Sequence, residues 1–253
     1  MSRRRFFVPA DAVQNGIASL PPDQAHHLRD VLRLGSGEIV EIFDGAGHGY
    51  VGEVEIRDSR VSVRNLQMVS VEAPKARLIL AAALIRSAKF EWILQKATEL
   101  GADEIIPLKT RFSEIDIPPG KITPRLERWD RIVREATKQC RRLTAPRVHV
   151  PRAFPDFLAS EEFSSFPKYL FYEKASEPWR LDSDRLPHGV VLCIGPEGGW
   201  DSGEIERARD AGYRVSSLGP WTLRAETAAI AALSIVQHQL NLLRNRDPDA
   251  ESQ

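Results

Sequence analysis

Eight consecutive residues, Leu78 to Ile85, carry no polar side chain. A strand with one face in water alternates polar and apolar residues, so an unbroken run belongs to a strand covered on both faces. This run is far too short for the ~18 residues that span a bilayer. Val190 to Ile194 is a second unbroken run of the same character. Around these two, the spacing predicts helices at about Ala88–Leu100, Ser202–Ala211 and Ala225–Leu243, and strands at Glu104–Leu108, Tyr169–Tyr172 and Arg214–Leu218. Gly101 stands where a left-handed cap would end the first helix. Strands alternating with helices imply an α/β domain around a mostly parallel sheet.

The stretch before residue 73 is different. Glu38–Phe43, Tyr50–Ile56 and Arg60–Val71 are rich in β-branched residues, with the hairpin dipeptide Asp44-Gly45 between the first two. One helical piece, Pro22–Leu34, has Leu28, Val31, Leu32 and Leu34 at helical spacing. A small barrel capped by that helix is the simplest closed arrangement. Ala73-Pro74-Lys75 reads as a linker, so the expected division is 1–73, 74–245 and a polar, disordered tail over 246–253.

At 42% hydrophobic and 28% charged residues the chain can bury a core, and its 35 basic residues balance 35 acidic ones. Net charge therefore points to neither a polyanion nor an anionic membrane, and any such preference must come from local clusters. Cys140 and Cys193 are too few and too far apart for a disulfide framework or a metal-ligand spacing. A reducing cytoplasm is the default for such a chain. Phe6-Phe7-Val8 before Pro9 is too short for a signal-peptide core. The reading is a soluble cytoplasmic protein without a membrane partner.

The sharpest motif is Gly195-Pro196-Glu197-Gly198-Gly199, directly after the buried run Val190–Ile194. A glycine-rich turn between strand and helix lets a ligand approach the backbone and be held by free amides. Such turns lie beyond the carboxyl ends of strands, where open α/β sheets bind ligands; the plainer alternative is a tight turn with no ligand. Asp201 and Glu204 have capping-box spacing for the next helix. G-x-G-x-x-G, G-x-x-x-x-G-K-[ST] and H-E-x-x-H are missing, so no dinucleotide, triphosphate or zinc-protease site is supported. The pair His26-His27 is better explained by capping or packing than by a metal. A second loop, Leu218 to Ala228, opens the last helix. Within it Glu226 suits the helix dipole whatever else it does, whereas Arg224 is a cation beside an apolar helix and calls for a partner.

Lys121 to Arg147 carries nine basic and three acidic residues. Thr123 and Pro124 suit the N-cap and first position of a helix there. Leu126, Trp129, Val133, Ala136, Cys140 and Leu143 share one arc of it. Arg131, Arg134, Lys138, Arg141 and Arg142 fall opposite, either as a solvated face or as a surface for a phosphate backbone. Gln95, Lys96 and Glu99 form the polar face of the helix before Gly101, for which solvent exposure is the simpler reading.

These motifs together resemble the bacterial 16S ribosomal RNA uracil-N3 methyltransferase family. The resemblance runs through Arg4-Arg5-Phe6-Phe7-Val8, His27-Leu28, Val31–Leu34, Phe43-Asp44-Gly45, Gln95–Gly101 and Gln139–Arg142. It ends with Ile194–Gly199, Leu218-Gly219 and Leu223–Ala228, and so covers nearly the whole chain in order. Arg141 and Trp221 depart from it, standing where the family usually has a small and a basic residue. The resemblance implies a PUA-like N-terminal β-barrel for RNA and a C-terminal SPOUT domain with a trefoil knot. It implies a homodimer that uses S-adenosylmethionine and no metal, acting on 16S ribosomal RNA or the small subunit and not on DNA. The cofactor residues it implies are Tyr172, Glu173, Ile194, Gly195, Pro196, Glu197, Gly198, Gly199, Leu218, Gly219, Leu223, Arg224 and Thr227. Arg224 is expected to stabilise the uracil anion, with Glu197 or Glu226 as base. Arg3, Arg4, Arg5, Arg29, Arg33, Lys96, Arg111 and Arg142 are expected on RNA. The rival readings are a SPOUT enzyme acting on a transfer-RNA base or a ribose 2′-hydroxyl, a non-catalytic assembly factor, and a flavodoxin-like oxidoreductase.

Overall fold

A computed structural model describes residues 3–58, 60–69, 76–181 and 189–240. The expected linker Ala73-Pro74-Lys75, the expected end of the last helix at Leu243 and the tail lie outside the described residues. The chain forms two compact units, Met1–Ala73 with Arg134–Ala145, and Pro74–Val133 with Pro146–Gln253.

The first unit contains β1 (Arg5–Phe7), β2 (Val13–Gln14), β3 (Ile17–Ser19), α1 (Pro22–His26), β4 (Ile39–Phe43), β5 (Gly49–Arg57) and β6 (Arg60–Val69). Their sheet order is β1-β4-β5-β6-β3-β2. No pairing joins β1 to β2 among the described residues, so the expected closed barrel is an open six-stranded sheet. Its edge strands are only two and three residues long, too short to close it. A register shift between Val51 and Glu53 interrupts the long β5–β6 ladder, and such bulges increase strand bend and twist. Gly52 makes the close approach possible, since a Cβ there would lie 2.6 Å from the Arg64 carbonyl. The expected helix Pro22–Leu34 shortens to α1 and continues as a π turn over His27–Val31. The wider turn swings Val31 out to solvent, while Leu28 stays in the core with Phe6, Val40, Ile42 and Val63.

The second unit contains β7 (Arg77–Ala83), α2 (Ser87–Glu99), β8 (Glu104–Lys109), the part of α3 (Pro119–Gln139) up to Val133, β9 (Arg147–Val148), β10 (Arg152–Ala153), α4 (Phe154–Ala159), β11 (Lys168–Phe171), β12 (Gly189–Ile194), α5 (Ser202–Asp210), β13 (Arg214–Ser216) and α6 (Ala225–Gln239). Every strand pair is parallel, in the order β10-β8-β7-β12-β11-β13, with β9 also on β8. The two apolar runs lie side by side at the centre, with Leu80 opposite Leu192. Alternate residues fill opposite cores. Leu78, Leu80, Leu192 and Ile194 pack with Phe90, Leu94, Leu233 and Val236, and Ile79, Ala81, Val191 and Cys193 pack with Phe154, Phe157, Trp200 and Ile205. Gly101 ends α2 at φ +87°, and a Cβ there would meet the Gln237 side chain at 2.1 Å.

Helix α3 begins at Pro119, a turn earlier than Thr123-Pro124 suggests, and Pro124 lies inside it. Near a helix start a proline sacrifices few ladder bonds, so Pro124 does not mark the boundary. The division between the compact units runs through this helix, whereas the sequence reading places 134–145 with the second domain. Within the first unit the Arg5 guanidinium donates to the carbonyls of Thr137 (3.3 Å) and Arg142 (2.6 Å). It thereby satisfies a carbonyl that the end of α3 leaves without a helical partner. The Ala145 amide donates to the Gly45 carbonyl, and Leu143 occupies the space that a Cβ at Gly49 would need.

Candidate active site

Because the strands of the second unit are parallel, the loops leaving β11, β12 and β13 emerge at one end of the sheet. They line a cavity of about 510 Å³ together with Lys89 from α2 and Ala228 from α6. Its walls are Phe171–Glu173, Ile194–Trp200, Ser217-Leu218 and Trp221–Ala225.

The loop after β12 is fixed by packing. A Cβ at Gly195 would lie 2.8 Å from the indole nitrogen of Trp200, which donates to the Phe171 carbonyl. A Cβ at Gly198 would lie 2.9 Å from that of Phe112. Gly199 turns at φ +75° and donates to the Pro196 carbonyl. The expected capping box is present: Asp201 accepts from the Gly203 amide, and Glu204 from the Asp201 amide. The other oxygen of buried Glu204 accepts from the Arg111 amide at 2.9 Å. With side chains crowded out, the backbone itself forms this wall.

The loop after β13 presents side chains instead. Trp221, Thr222, Leu223 and Arg224 are all exposed. Arg224 is the N-cap residue of α6, and its guanidinium has no hydrogen-bond or ion-pair partner among the described residues. The partner expected from sequence is not there, which leaves its donors free for a ligand.

Lys89 bonds Glu197 and lies 3.9 Å from Glu226. That pairing, more than any other cause, holds the Glu197 carboxyl below the usual range. Glu226 has one oxygen buried without a partner. The cavity brings together Tyr172, Glu173, Ile194 through Gly199, Leu218, Leu223 and Arg224, whereas Gly219, Glu226 and Thr227 do not line it. Lys89, Phe171, Trp200 and Ser217 are not singled out by the sequence, whereas Thr222, Ala225 and Ala228 lie within the second loop that is. For Phe171 and Trp200 the signal was adjacency to recognised motifs, but for Lys89 local sequence offered none.

Residues 71–237 match the family model for an RNA methyltransferase domain, and residues 20–64 that for an RNA methyltransferase PUA domain. Over 239 residues the chain is 32% identical to the ribosomal RNA small subunit methyltransferase E of Bacillus subtilis, covering 89% of this chain and 91% of that protein. It belongs to this methyltransferase family. The Synechocystis member is 33% identical over 94% of this chain and 77% of its own. A Legionella pneumophila methyltransferase solved with bound S-adenosylmethionine superposes with a TM-score of 0.85 at 30% identity, covering 94% and 98% of the two chains. The Neisseria gonorrhoeae family member, also solved with S-adenosylmethionine, gives 0.83 at 26%, again over 94% and 98%.

For an RNA methyltransferase the cations matter, and several expected on RNA are committed elsewhere. Arg5 is buried against Phe43 and Glu41, so its part is structural. Lys96 pairs with Glu99 at 2.8 Å, and Arg29 with Asp30. Arg142 is half-buried, with its carbonyl on Arg5. The basic stripe is partly spent too: Arg134 lies over Phe7, Lys138 over Phe6, and Arg141 pairs with Glu41. Arg3, Arg4, Arg33 and Arg111 are exposed, the last 3.6 Å from Asp201. His26 bonds Asp30 and His27 packs edge-on to Phe6, as the packing reading expects.

One cluster among the described residues has the make-up of metal ligands: Glu104, His149 and Glu162. Arg77 bonds Glu104, and Arg152 donates to Glu162 (2.8 Å) and to His149 Nδ1 (3.1 Å). A guanidinium can only donate, so Nδ1 accepts and Nε2–H points to Glu104, 2.6 Å away. Guanidinium groups thus occupy the lone pairs a cation would require. No described helix is long and apolar enough to cross a membrane.

Proposed function

We propose that this chain methylates N3 of a uridine in small-subunit ribosomal RNA, with S-adenosylmethionine as donor. The observation that carries this reading is a backbone-walled cavity at the C-terminal strand ends, with an unpartnered arginine at its mouth. Its volume lies within the range for cofactor sites, on the order of 300–1,000 Å³, and the related structures above hold that cofactor. Backbone from Ile194 to Gly199 and Leu218 would hold it, with Glu173 and Glu197 supplying negative charge for a sulfonium. When bound, the cofactor supplies an electrophilic methyl group that needs no metal to react.

The chain's own residues then have the harder task. N3 of uracil carries a proton that must leave before or as the carbon–nitrogen bond forms. Arg224 donates to the carbonyl oxygens on which negative charge grows. The proton passes to a carboxylate: Glu197 lines the cavity and is held ionised by Lys89, whereas the unpartnered oxygen of Glu226 is buried outside the lining and would have to be uncovered first. The open sheet of the first unit, with exposed Arg3, Arg4 and Arg33, would hold RNA as a PUA-like module. We extend the reading to a SPOUT trefoil knot, a homodimer and a cytoplasmic site of action. The test is methyl transfer from labelled cofactor to small subunits lacking the modification, with the labelled nucleoside identified. Label on N3 of one uridine is expected. Label on a ribose or on transfer RNA, or none, would overturn the reading.

A further inference from the structure

Trp221 is 81% exposed, more than any other large apolar side chain described. Trp129 and Trp200, by contrast, are buried. A bare indole is unusual on a folded surface, and this one also lines the cavity. It makes no ring contact among the described residues. The three residues after it, Thr222, Leu223 and Arg224, are exposed and line the same cavity. Another part of the lining, Gly195–Gly199, is backbone closed in by packing. An exposed aromatic at the mouth faces whatever arrives from solvent.

We propose that Trp221 is the stacking platform for the target pyrimidine, with Arg224 reading its carbonyl edge; this rests on the function proposed above. A base taken out of its own stack loses two aromatic neighbours, and an indole face replaces one of them. Stacking is indifferent to base identity, because every base has a π-face. Selectivity then falls to Arg224. Its guanidinium offers only donors, which match the two carbonyl oxygens flanking N3 of uracil and oppose the amino group that cytosine carries there.

The experiment uses the full chain saturated with S-adenosylhomocysteine and a short single-stranded RNA carrying one uridine, or an abasic site in its place. Tryptophan fluorescence should be quenched by the uridine RNA far more than by the abasic one, and Trp221→Phe should lose that difference. In methyl transfer to small subunits, Trp221→Ala should raise KM for RNA about 10-fold or more with a smaller change in kcat. Trp221→Phe and Trp221→Tyr should recover most of it. An unchanged KM in Trp221→Ala overturns the proposal. So does quenching by S-adenosylhomocysteine alone with weakened cofactor binding, which would place the indole on the cofactor. Emission already shielded from acrylamide in the free protein would also overturn it, because a second copy would then cover the ring. If the wild type methylates no uridine, the functional reading itself has failed; if it does and Trp221→Ala matches it, only the stacking platform has.

Discussion

From the N-terminal end of the parallel sheet, where β7 and β8 begin with Arg77 and Glu104, one chain of contacts runs along its edge through His149 and Arg152 to Glu162. At the C-terminal end, Arg224 has no partner, one oxygen of Glu226 has none, and Trp221 stands bare. The residue types overlap, yet their use is opposite. A charge whose donors and acceptors are all matched inside the fold contributes to holding the sheet and has nothing left for a ligand. An exposed charge left unmatched, as at Arg224, contributes little to stability and is available to a reacting group.

Substituting Arg224 by Ala gives the sharpest contrast. Methyl transfer should fall about 10²–10³-fold, the usual loss when one charge-stabilising donor is removed. The thermal midpoint should not move, because no contact is lost. A drop of several degrees would mean that Arg224 holds structure, and the contrast between the two ends would break.

Acid should act on the other end. Burial, with Arg147 and Arg152 nearby, lowers the His149 pKa to about 4. The unfolded chain therefore takes up this proton first. Its contribution to stability is complete above the unfolded value of ~6.5 and is lost as pH falls from there towards 4. Urea unfolding should show about 2 kcal/mol less stability at pH 5 than at pH 7 from this group. His149→Gln should flatten that slope; an unchanged slope in the variant would assign it to other groups.

A smaller effect tests the backbone wall. Gly195→Ala forces a Cβ into the Trp200 indole. It should cost about 1–2 kcal/mol of stability and weaken cofactor binding by calorimetry. Cofactor affinity equal to wild type would show that the wall can shift without consequence.

Local chemistry made the centre of this fold legible. The runs at Leu78 and Val190 could only be doubly covered strands, and Gly195–Gly199 could only be a turn beside one of them. What stayed hidden depended on distant partners. Arg5 looks like part of a basic arm until the end of α3 arrives to accept its protons. Lys89 reads as one more polar helical residue, since its bond to Glu197 joins positions 108 apart in sequence. The closed barrel was an inference from strand count, whereas two-residue edge strands decide closure.

Because Arg134–Ala145 completes the N-terminal unit, that unit cannot finish folding when its own first stretch leaves the ribosome. At roughly 5–20 residues per second, translation would supply the missing segment only several seconds later. Until then Phe6 and Phe7 await the helical turns that carry Lys138 and Arg134. In nascent chains halted before residue 134 the segment around Phe6 and Phe7 should therefore be open to protease, and in chains released past residue 145 it should be protected.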